Sequence, residues 1–212
     1  MIKYFFGIVL LLLVSCGNKE DILLPKAGKT IVKDVVDLSP IYIFFRVKGK
    51  DTLAEVNRKN SIITTNWILN IDKRLPLRLV IPEVMKLQQR KREEKEHRNE
   101  LALNYYSYAD SIGKNLAFIP FTQVYYKMEK PKLINAIYFR KNNTIQVNDV
   151  KVAKSKLLEY LNKRFVENPT QFAFCFDKEC SYGSYIQNMV FIETIILSEN
   201  LIAIAKDQEY VY

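Results

Sequence analysis

The chain is poor in the side chains that most often carry chemistry, with one histidine and three cysteines among its 212 residues. His97 lies in a run of Lys, Arg and Glu, where a solvated helix position is the plain expectation and general-base catalysis the alternative. Cys175 and Cys180 have no clustered His or further Cys, so they make a poor zinc site, and their spacing is not that of a thioredoxin-type pair. No G-x-S-x-G, H-E-x-x-H or phosphate-cradling G-x-x-x-x-G-K occurs. Neither a metal nor a cofactor is expected. The apolar run at the N-terminus, Tyr4 to Val14, is about eleven residues, short of the roughly 20 that a membrane-spanning helix needs.

That short run has another use. A basic start at Lys3, the apolar run, and Leu13-Val14-Ser15-Cys16 match the cleavage box of a bacterial lipoprotein signal. Residues 1–15 are then removed, and Cys16 becomes the lipidated first residue that anchors the chain to a membrane. An ordinary secretory signal cut near Ser15 is the alternative. Several acyl chains suffice for stable anchoring where one would be marginal. Gly17 rather than Asp after the cysteine favours the outer membrane, and Lys19-Glu20-Asp21 is similar to the signal that some bacteria use for export to the cell surface.

The formal charge of +9 falls by one when Lys3 leaves with the signal, and a positive surface attracts acidic lipids, cell-wall polymers or proteins. Nucleic acid is not expected, since no stripe of Arg with interleaved aromatics is present. Twelve Phe and thirteen Tyr supply large side chains for a core.

Residues 16–39 read as a lipidated tether. Strands are expected at Ile41 to Val47 and Thr52 to Val56, with Gly49 and Asp51 turning between them, and at Trp67 to Ile71. Pro76 suits a first helical turn and Pro82 a kink or restart. Glu83 to Tyr108 reads as one long helix whose middle alternates Lys/Arg with Glu four apart, ended by Gly113. Strands follow at Leu116 to Ile119 and Phe121 to Tyr126. The second half reads as a hairpin of Ile134 to Phe139 with Thr144 to Val147, a helix from Val152 to Phe165 and a doubly buried strand at Phe172 to Phe176. A helix from Tyr182 to Ile196 and a last strand from Leu201 to Ala205 complete it.

The two halves echo one another. Shifted by 105 residues, the separation of Asp72 and Asp177, Trp67 to Leu87 lies over Phe172 to Ile192. Asp72-Lys73 falls on Asp177-Lys178, Leu77 on Tyr182 and Ile81 on Ile186. Asn115 to Ile119 echoes Asn200 to Ile204, and Phe45-Arg46 with Thr52-Leu53 echoes Phe139-Arg140 with Thr144-Ile145. The expected fold is α/β (α+β): two related sheet-plus-helix units in tandem, at 40–130 and 131–212. The first lacks room for a counterpart of the helix Ala153 to Phe165.

The second copy carries Ile145-Gln146-Val147-Asn148, then Val152, Leu157 and Leu161, then Asp177-Lys178-Glu179-Cys180-Ser181-Tyr182-Gly183. It resembles the periplasmic domain of the ExbD/TolR biopolymer-transport family over about residues 134 to 205, and the first copy resembles it weakly, through Asp72-Lys73 and the helix after them. Motor members of that family have a transmembrane helix with a carboxylate. This chain has a removable signal instead, with no acid in Tyr4 to Val14, so no proton relay follows. The resemblance implies a domain that forms dimers and holds an envelope protein or peptidoglycan.

Asp72 and Asp177 each precede an expected helix, where a carboxylate can cap backbone N–H groups. Lys73, Lys178, Tyr182 and Gly183 complete the repeated motif. For Cys175 and Cys180 a disulfide and two buried thiols both stay open, a disulfide requiring the turn at Asp177 to fold the chain back. The expectation is a lipid-anchored, non-catalytic binding or scaffold protein of the cell envelope. The alternative is an envelope enzyme using Asp72 or Asp177, or a redox pair of Cys175 and Cys180.

Overall fold

A computed structural model describes residues 21–96, 99–132, 135–165, 172–198 and 204–212. The signal, Cys16 and His97 lie outside them, as does the start of the expected strand at Ile134. In chain order the strands are β1 (Lys26–Ala27), β2 (Leu38–Lys48), β3 (Asp51–Asn57), β4 (Asn66–Ile71), β5 (Asn104–Asp110), β6 (Asn115–Pro120), β7 (Tyr125–Lys127), β8 (Asn135–Phe139), β9 (Ile145–Val147), β10 (Val150–Val152), β11 (Phe172–Phe176) and β12 (Ile204–Val211). Helix α1 (Leu77–Glu93) follows β4, α2 (Leu157–Phe165) precedes β11, and α3 (Tyr182–Ser198) lies between β11 and β12. No helix among the described residues is long and apolar enough to cross a membrane.

The fold is α/β, with two mixed six-stranded sheets. The first runs β1-β5-β4-β2-β3, with β6 added to β5, and the second runs β10-β9-β8-β11-β12-β7. Both follow one path. A hairpin (β2/β3, β8/β9) feeds a strand parallel to its first arm (β4, β11); a helix then leads to the next parallel strand (β5, β12), which also pairs in parallel with a short strand from before the hairpin (β1, β7). Gly49, at φ 63°, makes the β2–β3 turn, and Asn143, at φ 62°, serves between β8 and β9. No helix stands between β3 and β4, as the short spacing requires.

Several expectations are corrected. The helix expected over Glu83 to Tyr108 starts earlier, at Leu77, runs through Pro82 and ends at Glu93, and Asn104–Asp110 is a strand. Tyr106 and Tyr108 face the core from that strand, so the period there is two. Gly113 ends no helix. It sits in the β5–β6 turn, where its N–H and that of Ile112 both donate to Asp110 Oδ1 at 2.9 Å. The structural partner of β12 is β5 and not Asn115 to Ile119, which forms β6, antiparallel to β5. The hairpin echo slips by two residues. Asp72 N–H donates to Ile43 O and Asp177 N–H to Phe139 O, so Ile43, not Phe45, corresponds to Phe139, and an even slip keeps the same face inward. The last strand extends to Val211, and of the strand expected over Phe121 to Tyr126 the structure has Tyr125–Lys127, which belongs to the second sheet. The unit boundary therefore falls before Tyr125 rather than after residue 130. The tether read over 16–39 is docked from Leu23 onward, with Lys26–Ala27 paired to β5, Val32 bonded to Phe118, and Thr30 Oγ1 donating to Asp110 Oδ2 at 2.7 Å.

One hydrophobic core spans both units, filled by Ile81 and Val84 of α1, Ile186 and Met189 of α3, and the inward residues of both sheets. The units meet at their repeated turns. Pro76 and Ser181 form an antiparallel bridge, and around it the bonds come in pairs. Leu77 N–H donates to Cys180 O at 2.9 Å and Tyr182 N–H to Leu75 O at 2.7 Å; Arg78 N–H donates to Lys178 O at 2.9 Å and Gly183 N–H to Lys73 O at 3.0 Å. Each pair is related by the same 105-residue offset, so the join is a pseudo-dyad through Pro76 and Ser181. The first N–H groups of a helix have no partner within it, and here each helix finds them on the opposite unit's turn.

Candidate functional site

The repeated motif residues belong to this join. Asp72, 1% exposed, does not cap α1, whose N-cap is Pro76 with no side-chain bond. Its carboxylate accepts Arg74 Nε at 2.9 Å and Nη2 at 2.7 Å, Arg74 N–H at 3.0 Å and Leu23 N–H at 3.3 Å. Burial pushes this carboxyl up, but the Arg74 and Leu23 donors outweigh it and hold it below its ordinary 3.8. Asp177 closes the equivalent turn by accepting Glu179 N–H at 2.9 Å, and it also accepts Lys141 N–H at 3.3 Å. It does not cap α3 either, since Ser181 Oγ accepts Ser184 N–H at 3.2 Å there. Both aspartates thus tie turns rather than start helices. Lys73 and Lys178 act through their carbonyls at the join, and Gly183 lets Lys73 approach, because a Cβ there would stand 3.2 Å from Lys73 Cβ.

The Cys175–Cys180 disulfide does not form in the structure, and both are buried free thiols. They belong to different clusters: Cys180 to the main core, and Cys175 to a small one with Tyr138, Ala173 and Tyr210. Burial pushes Cys175 up to about 12 and Cys180 to about 11, which leaves almost no thiolate for redox chemistry at neutral pH.

The second sheet's outer face carries what the motif does not. Tyr138 and Tyr212 stack there with ring centroids 5.2 Å apart and planes at 25°. The Arg140 guanidinium lies 4.1 Å from the Tyr138 ring centre and bonds Gln146 Oε1 at 2.6 Å. Lys127 stands over Tyr210 at 5.4 Å. Tyr138 and Tyr212 line an open recess of about 660 Å³, with Lys130, Arg140, Asn148 and Asp149 at its walls.

Behind the join lies a chain of buried hydroxyls. Tyr106 OH and Tyr126 OH are 2.8 Å apart, Tyr126 OH is 3.4 Å from Tyr185 OH, and Tyr185 OH donates to Glu209 Oε2 at 2.7 Å. Burial pushes all three phenols well above 10.0, so they stay neutral donors. It also pushes the Glu209 carboxyl up to about 7; Tyr185 partly offsets this and Glu193 adds to it. Nothing in the local sequence singles out Glu209. Its position is the counterpart of Tyr106, since Leu69 pairs with Tyr106 as Phe174 pairs with Glu209. Comparison with protein-family models, curated proteins and solved structures finds no match.

Proposed function

We propose that the chain is a non-catalytic binding component of the bacterial cell envelope, anchored in the outer membrane by lipid on Cys16, which contacts peptidoglycan through the outer face of its second sheet. The observation that carries the reading is Arg140, which rests on Tyr138 beside an open recess and bonds the neutral Gln146, with no ion pair to a carboxylate among the described residues. A guanidinium held in this way is placed to take a carboxylate by two parallel bonds, and the Tyr138–Tyr212 stack offers a flat surface for a sugar ring. The positive formal charge, +9 for the whole sequence and one less once the signal is removed, favours an acidic polymer over a neutral one.

Resemblance of residues 134–205 to the ExbD/TolR domain points to the same role. The homodimer expected from it is not required here, because the two motif-bearing turns already pair within one chain and present no open copy to a second. The enzymatic alternative finds little support, with Asp72 held by Arg74 and both thiols buried.

Sedimentation of the full-length protein in detergent with purified peptidoglycan tests the reading. Retention is expected to fall steeply with added salt, because exposed charges are screened over about 8 Å at physiological ionic strength. Replacing Tyr138→Ala and Arg140→Gln together is expected to weaken it about tenfold. Retention indifferent to salt and to both substitutions refutes it.

A further inference from the structure

A second cleft, of about 360 Å³, lies against the buried hydroxyl chain. Its walls are Phe121, Val124, Phe174, Met189 and Ile192, all buried, and exposed Pro120 and Gln123 mark its opening. Two carboxyl groups line it, Glu209 at 2% exposure and the half-buried Glu193, and among the described residues no Lys or Arg does. Glu209 Oε2 takes the Tyr185 hydroxyl, while Oε1 has no hydrogen bond among the described residues. A buried carboxyl with a spare oxygen and no cation is costly unless something fills the place of the missing charge.

The corresponding place in the first unit is built differently. There the register partner of Glu209 is Tyr106, stacked on Phe121 at 3.8 Å, and the 105-residue counterpart of Glu193 is Gln88, whose amide donates to Phe121 O and Val124 O at 3.1 Å each. The same scaffold closes that position with neutral, satisfied side chains. In the second unit it substitutes two acids and leaves a cleft.

We infer that this cleft binds a small organic cation, an ammonium group on an apolar body, with Glu209 as its counter-ion and Phe121, Phe174 and Met189 packing the body. The volume, near the lower end of the usual 300–1,000 Å³ or so for ligand sites, limits the guest to a small molecule. The groups facing Glu209 from the packed elements are Tyr185 and Glu193 of α3, Tyr126 of β7 and Tyr106 of β5. Among the described residues none is a cation that would compete with the guest. This site is separate from the outer face proposed to hold peptidoglycan, so either reading can fail alone.

The test is calorimetric titration of the full-length protein with phenethylammonium and with 2-phenylethanol, its neutral analogue. The ammonium compound is expected to bind saturably and to tighten as pH rises through about 7, where Glu209 ionises, while the alcohol binds more weakly and without that dependence. Glu209→Gln is expected to weaken the ammonium compound by about ten- to a hundredfold and to leave the alcohol unchanged. Met189→Phe, which narrows the cleft without altering charge, is expected to weaken both. Equal binding of the two probes by the unaltered protein, no binding of either, or full ammonium affinity in folded Glu209→Gln overturns the inference. The comparison between probes needs no variant to fold.

Discussion

Removing the charge of Glu209 without changing its shape should stabilise the protein, and by an amount that depends on pH. Burial raises this carboxyl from an ordinary 4.5 to about 7, Tyr185 opposes the shift, and Glu193 reinforces it. Below about 4.5 both folded and unfolded chains hold the proton, and the group contributes no pH dependence. Between that value and about 7 the unfolded chain has lost the proton and the folded chain keeps it, so stability falls as pH rises. Above about 7 the folded form carries the buried charge and the loss is complete. The interval is worth about 3 kcal/mol at about 1.4 kcal/mol per pH unit. Glu209→Gln can still accept the Tyr185 hydroxyl but cannot ionise. Urea melts followed by Trp67 fluorescence, the single tryptophan and 2% exposed, should give equal stabilities near pH 4. Near pH 8 the variant should lead by about 3 kcal/mol, or roughly 6–12 °C in melting temperature. The difference between the two proteins cancels the titration of every other group. A variant no more stable than the parent near pH 8, or an advantage that grows toward acid, would refute the assignment of Glu209 as a buried, uncompensated acid.

Other substitutions probe the join. Tyr182 OH is buried with no hydrogen-bond partner among the described residues, so Tyr182→Phe should leave stability unchanged or raise it by about 1 kcal/mol in the same melts, and a loss of that size would mean the hydroxyl is satisfied. Gly183→Ala gains helix propensity but places its Cβ 3.3 Å from Lys73 O, the carbonyl that Gly183 N–H itself holds, and a net loss of about 1 kcal/mol is expected. Stabilisation instead would show that the turns can part without cost. Arg74→Ala removes the bidentate partner of a 1% exposed carboxylate, but Arg74 itself is 45% exposed and screened, so the expected loss is about 1–2 kcal/mol. Because the Asp72 carboxyl is lowered in the fold, that loss should be present above its ordinary 3.8 and vanish as pH falls through the lower folded value; a loss persisting in stronger acid would exclude the ion pair as its cause.

What the sequence reveals is what short-range pattern controls. The alternating and all-apolar runs that became β2, β4 and β11, the turn at Gly49 and the start of α3 are all local signals. The end of α1 was hidden because charge pairs four apart support a helix without saying where it stops, and no Gly or Pro follows Glu93 until Gly113. Tyr105, Tyr106 and Tyr108 then read as a continued stripe, although they alternate about Ser107 in a strand paired to β4 and β6. The capping of each helix was illegible for a different reason: its acceptors lie about 100 residues away, on Lys73, Leu75, Lys178 and Cys180. Glu209 was missed likewise. It lies beyond the last expected strand, which stopped at Ala205, and its burial follows from parallel pairing with β11 on one side and β7 on the other.

The positions where the two units agree are those that the duplication itself requires. Leu77 and Tyr182, Ile81 and Ile186, and Val84 and Met189 pack one shared core, and Asp72 and Asp177 close the turns on which the pseudo-dyad rests. Agreement there is explained by folding and carries no further information about a ligand. Divergence is another matter. Had selection asked of the second unit nothing but packing, Gln and Tyr at the positions of Glu193 and Glu209 would have repeated the satisfied arrangement of Gln88 and Tyr106. Likewise the first sheet sets Arg46 over Phe44, itself stacked on Tyr42, but spends that guanidinium on an ion pair with Glu55 at 2.7 Å, where Arg140 over Tyr138 meets the neutral Gln146 instead. The two features that depart from the repeat, one cationic on the outer face and one acidic in the cleft, are therefore where recognition should be sought, and they call for guests of opposite charge.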